Sequence, residues 1–356
     1  MSLPRHSLEA PQVLTQIPFP LQLAYHPPNA WFKIVQQSLI MTNLPAPLHY
    51  LNYRVMMGQA NLPIFRNQIA IKTSALDTAT LMCSVSPHMV AQFTHYSMRH
   101  DCILKDDYYQ FGESNRLSGK LPEFHLTRDD SELSVDLKIS TFPILSSFLK
   151  LKLGLYEHWS LLCHCKGQIK YKGKVFNVDQ QGSFEYTRAI NVPYLPLCFY
   201  TYQIIDLKDQ RQLQLIHLRN QFNQILQSKI FLKDFTQNKT ECFETGVHFM
   251  VHRVYPKVST PNHQSMYLAR EFEWQWSNGA QHIRVYAQSR GDFKFGIGVG
   301  YAGSFNYQVE INEYLEEGSA GYCEYIDCRP LKWQERNSHE KLLEKLEHPF
   351  PVVLKK

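Results

Sequence analysis

"GSFEYTRA" at residues 182–189 and "GYCEYIDC" at 321–328 both open with Gly-x-x-Glu-Tyr, 139 positions apart (321 minus 182). A second pattern, Gly-x-apolar-x-Tyr, precedes each copy: "GQIKY" at 167–171 and "GSFNY" at 303–307, 136 apart (303 minus 167). Hairpin signals stand upstream of both. In the first half, "EFHLT" and "SELSVDLKIS" flank the polar "RDDS", and Leu133, Val135, Leu137 and Ile139 alternate with polar residues as on a strand with one buried face. In the second half, "EFEWQW" and "QHIRVYAQS" flank Asn278-Gly279, a pair suited to a positive-φ turn. "YQIIDL" and "RQLQLIHL" form a further hairpin around "KDQ". Three elements recurring in one order mark a duplicated domain, since the period is too long for a solenoid.

A unit of roughly 140 residues built of alternating strands and tight turns suits an antiparallel β-barrel, because closure removes unpaired strand edges. The expected fold is mainly β, with two tandem lipocalin-like antiparallel barrels and a helix at each end. The units are an N-terminal arm and helix (1–45), a first barrel (46–192), a second barrel (193–335), and a C-terminal helix and tail (336–356). "NAWFKIVQQSLIM" supplies the first helix, with Asn29 as N-cap and Trp31, Ile34, Val35 and Leu39 on one face. "NSHEKLLEKLEHPFP" supplies the second, with Asn337 and Glu340 at capping-box spacing and Pro349 ending it.

The segments "YEHWSLLCHCKGQIKYKGKVFNVDQQGSFEYTRA" (156–189) and "GSFNYQVEINEYLEEGSAGYCEYIDCRP" (303–330) resemble the carotenoid hydratase (hydroxyneurosporene synthase) superfamily of tandem lipocalin-like proteins. The resemblance implies a barrel that takes a lipophilic small molecule, with acid-assisted hydration, isomerisation or cyclisation as the implied chemistry. Members of that superfamily usually carry Asp followed by a Trp-containing segment. This chain instead has Glu185 and Glu324, each followed by Tyr.

Composition narrows the alternatives. The chain has 356 residues, 44% hydrophobic and 19% charged, a globular balance with ample material for a core. Net charge is +5, but the basic residues are dispersed, which argues against nucleic acid and allows no more than transient contact with a membrane surface. The first thirty residues carry Glu9 and several prolines where a signal peptide needs an apolar run, so the expected location is cytoplasmic with all eight cysteines as free thiols.

Candidate site residues follow from strand geometry. Side chains alternate along a strand, so Tyr186 and Tyr325 face opposite ways from Glu185 and Glu324. One reading puts the tyrosines in the core and the glutamates outward beside lysines. The other places a glutamic acid in an apolar barrel, where burial raises its pKa until it can protonate an alkene or enol. Glu185 and Glu324 are the candidate catalytic residues. Trp159, Tyr186, Tyr325 and Trp274 are the candidate ligand contacts, since lipophilic pockets are mainly aromatic. His158, Cys163, His164 and Cys165 lack a second half-site for zinc, so neither metal nor cofactor is expected. "GIGVGYAG" (296–303) is followed by strand-type residues instead of a helix, which removes the dinucleotide reading and leaves a strand where backbones approach closely. An enzyme, a non-catalytic carrier or sensor, and a barrel with filled pockets all remain compatible with these residues. Oligomeric state has no signature here.

Overall fold

The computed structural model describes residues 12–14, 23–150, 155–191 and 194–329. Two antiparallel sheets of eleven strands account for nearly all regular structure. The first runs, in spatial order, through Phe93–Ser97, Thr78–Ser84, His49–Met57, Ile34–Leu44, Lys174–Ala189, Tyr156–Tyr171, Leu133–Lys150, Glu123–Arg128, Asn115–Lys120, Tyr108–Phe111 and Cys102–Lys105. Its two end strands are consecutive in the chain, so the sheet curls back toward its own start. The second sheet repeats the device. Its central path joins Leu197–Asp206 to Tyr314–Asp327, and its far strands Lys239–Phe243 and His248–Val254 are again consecutive. The short strand Gln12–Leu14 extends it by pairing with Lys239–Phe243. Together the sheets form a nearly closed barrel and a half-barrel sheet.

The expected hairpins are present. Glu123–Arg128 pairs with Leu133–Lys150, Ala269–Ser277 with His282–Ser289, and Leu197–Asp206 with Arg211–Asn220. Gly279 adopts φ +86°, as its turn requires. The repeated motif occupies equivalent positions: Glu185 lies between Ser160 and Ser38, and Glu324 between Ala302 and Tyr202, on the last strand of each unit, which pairs with the unit's first long strand. The motif glycines admit close packing. A Cβ on Gly321 would meet the Phe305 ring at 2.5 Å, and one on Gly182 would meet the Ile40 carbonyl oxygen at 3.0 Å.

The N-terminal helix is corrected. Residues Ile34–Leu44 form a strand at the middle of the first sheet. It is buried on both faces, so its apolar run lacks the period of two that marks a half-exposed strand, and it imitates a helical stripe. Asn29 does cap, but it caps a turn: its Oδ1 accepts from the Trp31 and Phe32 amides at 2.9 and 2.7 Å. Trp31 is 61% exposed and belongs to no core. The expected C-terminal helix lies outside the described residues.

Alternation along these strands creates three cores. Val35, Leu39, Tyr53, Trp159, Phe184 and Tyr186 point into the first unit. Phe199, Phe272, Trp274, Phe305 and Tyr325 point into the second. The opposite faces, with Ile34, Ile40, Tyr50, Tyr202, Tyr322 and Ile326, pack the two units against each other. All eight cysteines are unbridged; Cys163 and Cys165 point the same way with sulfurs 3.8 Å apart. No described helix is long and apolar enough to cross a membrane.

Candidate functional site

Three environments hold the sequence-derived candidates. The first is the layer between the units, where both glutamates lie. They are outside the two interiors yet buried, Glu185 at 1% and Glu324 at 0% exposure. Arg54, 4% exposed, reaches both carboxylates with the same Nη2, at 3.4 Å from Glu185 Oε2 and closer to Glu324 Oε1. Ser38 donates to Glu185 Oε2 at 3.0 Å, and the Tyr202 hydroxyl donates to Oε1. Tyr200 and Tyr322 donate to Glu324 at 3.1 and 2.9 Å. Nearby, Lys233 of the second unit donates to Ser160 of the first, at 3.2 Å to the carbonyl and 3.1 Å to Oγ. Gln214 donates to Ser160 and Ser183 at 2.9 and 2.6 Å.

The electrostatics follow from two carboxylates sharing one guanidinium. Burial, offset in part by Arg54 and reinforced by the neighbouring Glu185, raises the Glu324 pKa to about 7. Burial also lowers Lys233 to about 7, with Glu185 opposing the shift, and takes His158 down to about 3 with help from Arg54. The Glu324 carboxyl and the Lys233 amino group each contribute with a definite sign. Between 4.5 and about 7 the folded protein keeps a Glu324 proton that the unfolded chain has released, so stability falls as pH rises. Between about 7 and 10.5 the unfolded chain holds a Lys233 proton that the folded protein lacks, so stability rises with pH. His158 opposes the first of these, because from about 3 to 6.5 the unfolded chain holds an imidazole proton that the folded protein lacks. The two contributions are therefore read in thermal unfolding as differences from wild type. Glu324→Gln should gain relative stability as pH rises from 4.5 to about 7, and Lys233→Met should lose it from about 7 to 10.5; differences that do not vary with pH would refute the assignment.

The second environment is the interior of the first unit. Trp159 stands directly across from Tyr186, ring centroids 5.4 Å apart, and Phe184 stacks on Phe124 at 4.4 Å. Arg128 closes one end by donating to Asn115 Oδ1 at 2.9 Å and to the Leu133 and Ala91 carbonyls at 3.2 Å. Three buried donors in this interior, Trp159 Nε1, Tyr53 Oη and Gln37 Nε2, have no hydrogen-bond partner among the described residues. Leaving a buried donor unsatisfied costs about 1–3 kcal/mol each, so these three are positions that an acceptor could stabilise; the layer between the units also holds unpartnered atoms, at Asn52, Arg54 Nε and Gln214 Oε1, among its charged groups.

The interior of the second unit holds Trp274 and Tyr325. Its polar groups are better satisfied: Trp274 Nε1 donates to Gln203 Oε1 at 3.0 Å, and Gln203 Nε2 donates to Thr201 Oγ1 at 2.5 Å. A cleft of about 430 Å³ lies between the units, lined by Phe142, Phe235, His164, Asp179 and Asp206 among others. Its polar groups are engaged as well. His164 pairs with Asp179 at 2.7 Å, and Asp206 accepts from Thr42 and Gln212, both at 2.7 Å.

The structure thus brings Trp159 and Tyr186 together, sets Trp274 and Tyr325 in the other unit, and joins Glu185 to Glu324 through Arg54. Sequence reasoning missed Arg54, Gln37 and Tyr53. The signal for Arg54 was a lone cation in the otherwise apolar "YLNYRVMM" (50–57), since an arginine buried in a strand needs a carboxylate partner. Residues 54–340 match the model of a family of unknown function, DUF6670. The chain belongs to that family. No curated protein matches it.

Among solved structures, the fold of this DUF6670 member is similar to that of a putative AttH from Nitrosomonas europaea, at 11% identity and TM-score 0.60, covering 90% of this chain and 100% of that one. It is also similar to kievitone hydratase from Nectria haematococca, at 10% identity and TM-score 0.53, covering 91% and 97%. A third is CghA with Sch210972, at 6% identity and TM-score 0.52, covering 84% and 90%. These are lipocalin-like folds of the carotenoid hydratase type, so the resemblance carried by the two motifs holds for the fold.

Proposed function

We propose that this protein binds a lipophilic small molecule bearing oxygen acceptors inside its first unit, as a carrier or sensor. The observation behind this reading is the set of unpartnered donors, Trp159 Nε1, Tyr53 Oη and Gln37 Nε2, in an otherwise aromatic interior. Ligand pockets pair apolar walls with a few convergent polar groups, and a ligand oxygen would satisfy donors that the protein leaves unpaired. The cleft between the units and the interior of the second unit lack such a set of donors. Trp159 and Tyr186 are the ligand contacts in this reading; Trp274 and Tyr325 are packing residues.

Acid-assisted hydration, isomerisation or cyclisation would need a carboxylic acid within reach of the ligand. Glu185 and Glu324 face the layer between the units, which favours binding without turnover and gives these glutamates the role of joining the units through Arg54. The test is titration with the fluorescent probe 1-anilinonaphthalene-8-sulfonate, together with native mass spectrometry of protein exposed to a lipid extract. Saturable binding at one site is expected, with Trp159→Phe weakening it roughly five- to tenfold, as loss of one hydrogen bond of about 1 kcal/mol implies. Absence of both probe binding and any adduct would overturn the proposal.

A further inference from the structure

The interior of the first unit is filled in part by its own chain. Residues 23–32, "LAYHPPNAWF", precede Ile34–Leu44 and have no strand partner. From this segment the Tyr25 ring enters the interior, with centroids 5.1 to 5.8 Å from Tyr109, Phe124, Phe184 and Tyr186. Its hydroxyl donates to Gln37 Oε1 at 2.8 Å. Gln37 is also one of the residues with an unpartnered donor, so Tyr25 engages the carbonyl half of that amide and leaves the NH2 half unused.

We infer that Tyr25 occupies the place of the ligand: the first unit takes a flat, hydroxyl-bearing aromatic molecule, and the segment 23–32 withdraws when that molecule enters. This rests on the binding reading above and adds the ligand class and the means of its admission. The chemistry of the position selects the class. A ring in this place is flanked by four aromatic rings, and its hydroxyl meets an amide that can accept through Oε1 and donate through Nε2. A phenol reproduces the bond that Tyr25 makes, its O–H donating to Gln37 Oε1, and a second oxygen on the ligand could accept from Nε2. A purely hydrocarbon ligand would leave both halves of the Gln37 amide unpaired and would be rejected for that reason.

The segment is also built to leave. Beyond Tyr25, it is held by Leu23 packed against the first core, the His26 ring edge-on to Tyr186, a mutual contact of Tyr186 Oη with the His26 backbone (3.1 Å to the carbonyl, 3.4 Å from the amide), one Arg188–His26 contact at 3.1 Å, and Arg188 over the Phe32 ring at 4.3 Å. Arg188 also pairs with Glu157 at 2.8 Å, a contact that involves no residue of the segment. A short segment without a strand ladder belongs to the low-stability end of the molecule, where local opening is least costly.

The experiment uses the full chain and two probes, 2-naphthol and naphthalene, which differ by the hydroxyl alone. Wild type should prefer 2-naphthol by at least fivefold, and saturation with it should speed amide hydrogen exchange at His26, Trp31 and Phe32. Tyr25→Ala should bind 2-naphthol at least tenfold more tightly than wild type. Phe249→Ala opens a void in the second unit and controls for nonspecific cavity filling; equal gain of 2-naphthol binding there overturns the inference. So does 2-naphthol binding to wild type with no preference over naphthalene or no change in exchange, although the binding reading then stands. If neither naphthol nor 1-anilinonaphthalene-8-sulfonate binds any variant, the binding reading itself has failed. Should Tyr25→Ala not fold, the exchange measurement on wild type still decides the matter.

Discussion

Replacing Arg54 with alanine is expected to destabilise the protein by about 3–5 kcal/mol, the range for stripping a buried charge of its partner. The guanidinium is the cation that both Glu185 and Glu324 contact, and all three groups are buried. Without it, two carboxyl groups face each other in a dry layer with no guanidinium between them. The loss should grow as pH rises above neutrality, because Glu324, held at about 7 with Arg54 beside it, then ionises with no such partner. A companion variant separates charge from volume. Arg54→Met with Glu185→Gln and Glu324→Gln keeps bulk and hydrogen-bond acceptors for Tyr200, Tyr202 and Tyr322 while removing every charge. It should recover most of the stability, since neutral replacement of a buried ionic cluster is often tolerated. Chemical denaturation of both variants at two pH values checks this. An Arg54→Ala protein as stable as wild type would contradict the role assigned to the cluster.

Much of this architecture is legible in the sequence because one rule, alternation, applies almost everywhere. The "SELSVDLKIS" and "EFEWQW" strands expose one face, so their period of two is visible, and the turns between hairpins carry the residues that turn chemistry demands. Ile34–Leu44 escapes the rule because one face packs into the first unit and the other against the second. The same double burial hides the site. Alternation correctly sets Glu185 and Glu324 opposite the tyrosines, yet the face away from a barrel interior is ordinarily solvent. Tyr322 and Ile326, which flank Glu324 on its own face, were the available sign that this face is covered. Gln37 and Tyr53 offered no such sign. An amide and a phenol become informative only when burial without a partner is known, and that is a property of three-dimensional packing.

Tyr325→Ala and Tyr186→Ala should each cost about 3–5 kcal/mol, as removal of a large buried ring does. Both rings are at most 1% exposed, and they occupy the same place in the two copies of the motif. Their hydroxyls differ, which allows a sharper test. The Tyr325 hydroxyl is buried without a partner among the described residues, so Tyr325→Phe removes an unsatisfied group and should be neutral or stabilising by up to about 1 kcal/mol. The Tyr186 hydroxyl holds the His26 backbone, so Tyr186→Phe should change global stability little and instead speed hydrogen exchange in residues 23–32. Thermal unfolding paired with exchange distinguishes the two copies: a structural ring in both, with an added tether only in the first. If Tyr325→Phe destabilised as much as Tyr325→Ala, the hydroxyl would have to be satisfied in solution, and the second interior would need to be reconsidered as a polar, ligand-accessible site. If Tyr186→Phe left exchange unchanged, the tether between the first motif and residues 23–32 would be absent. The shared Gly-x-x-Glu-Tyr would then be a packing unit in both halves and nothing more.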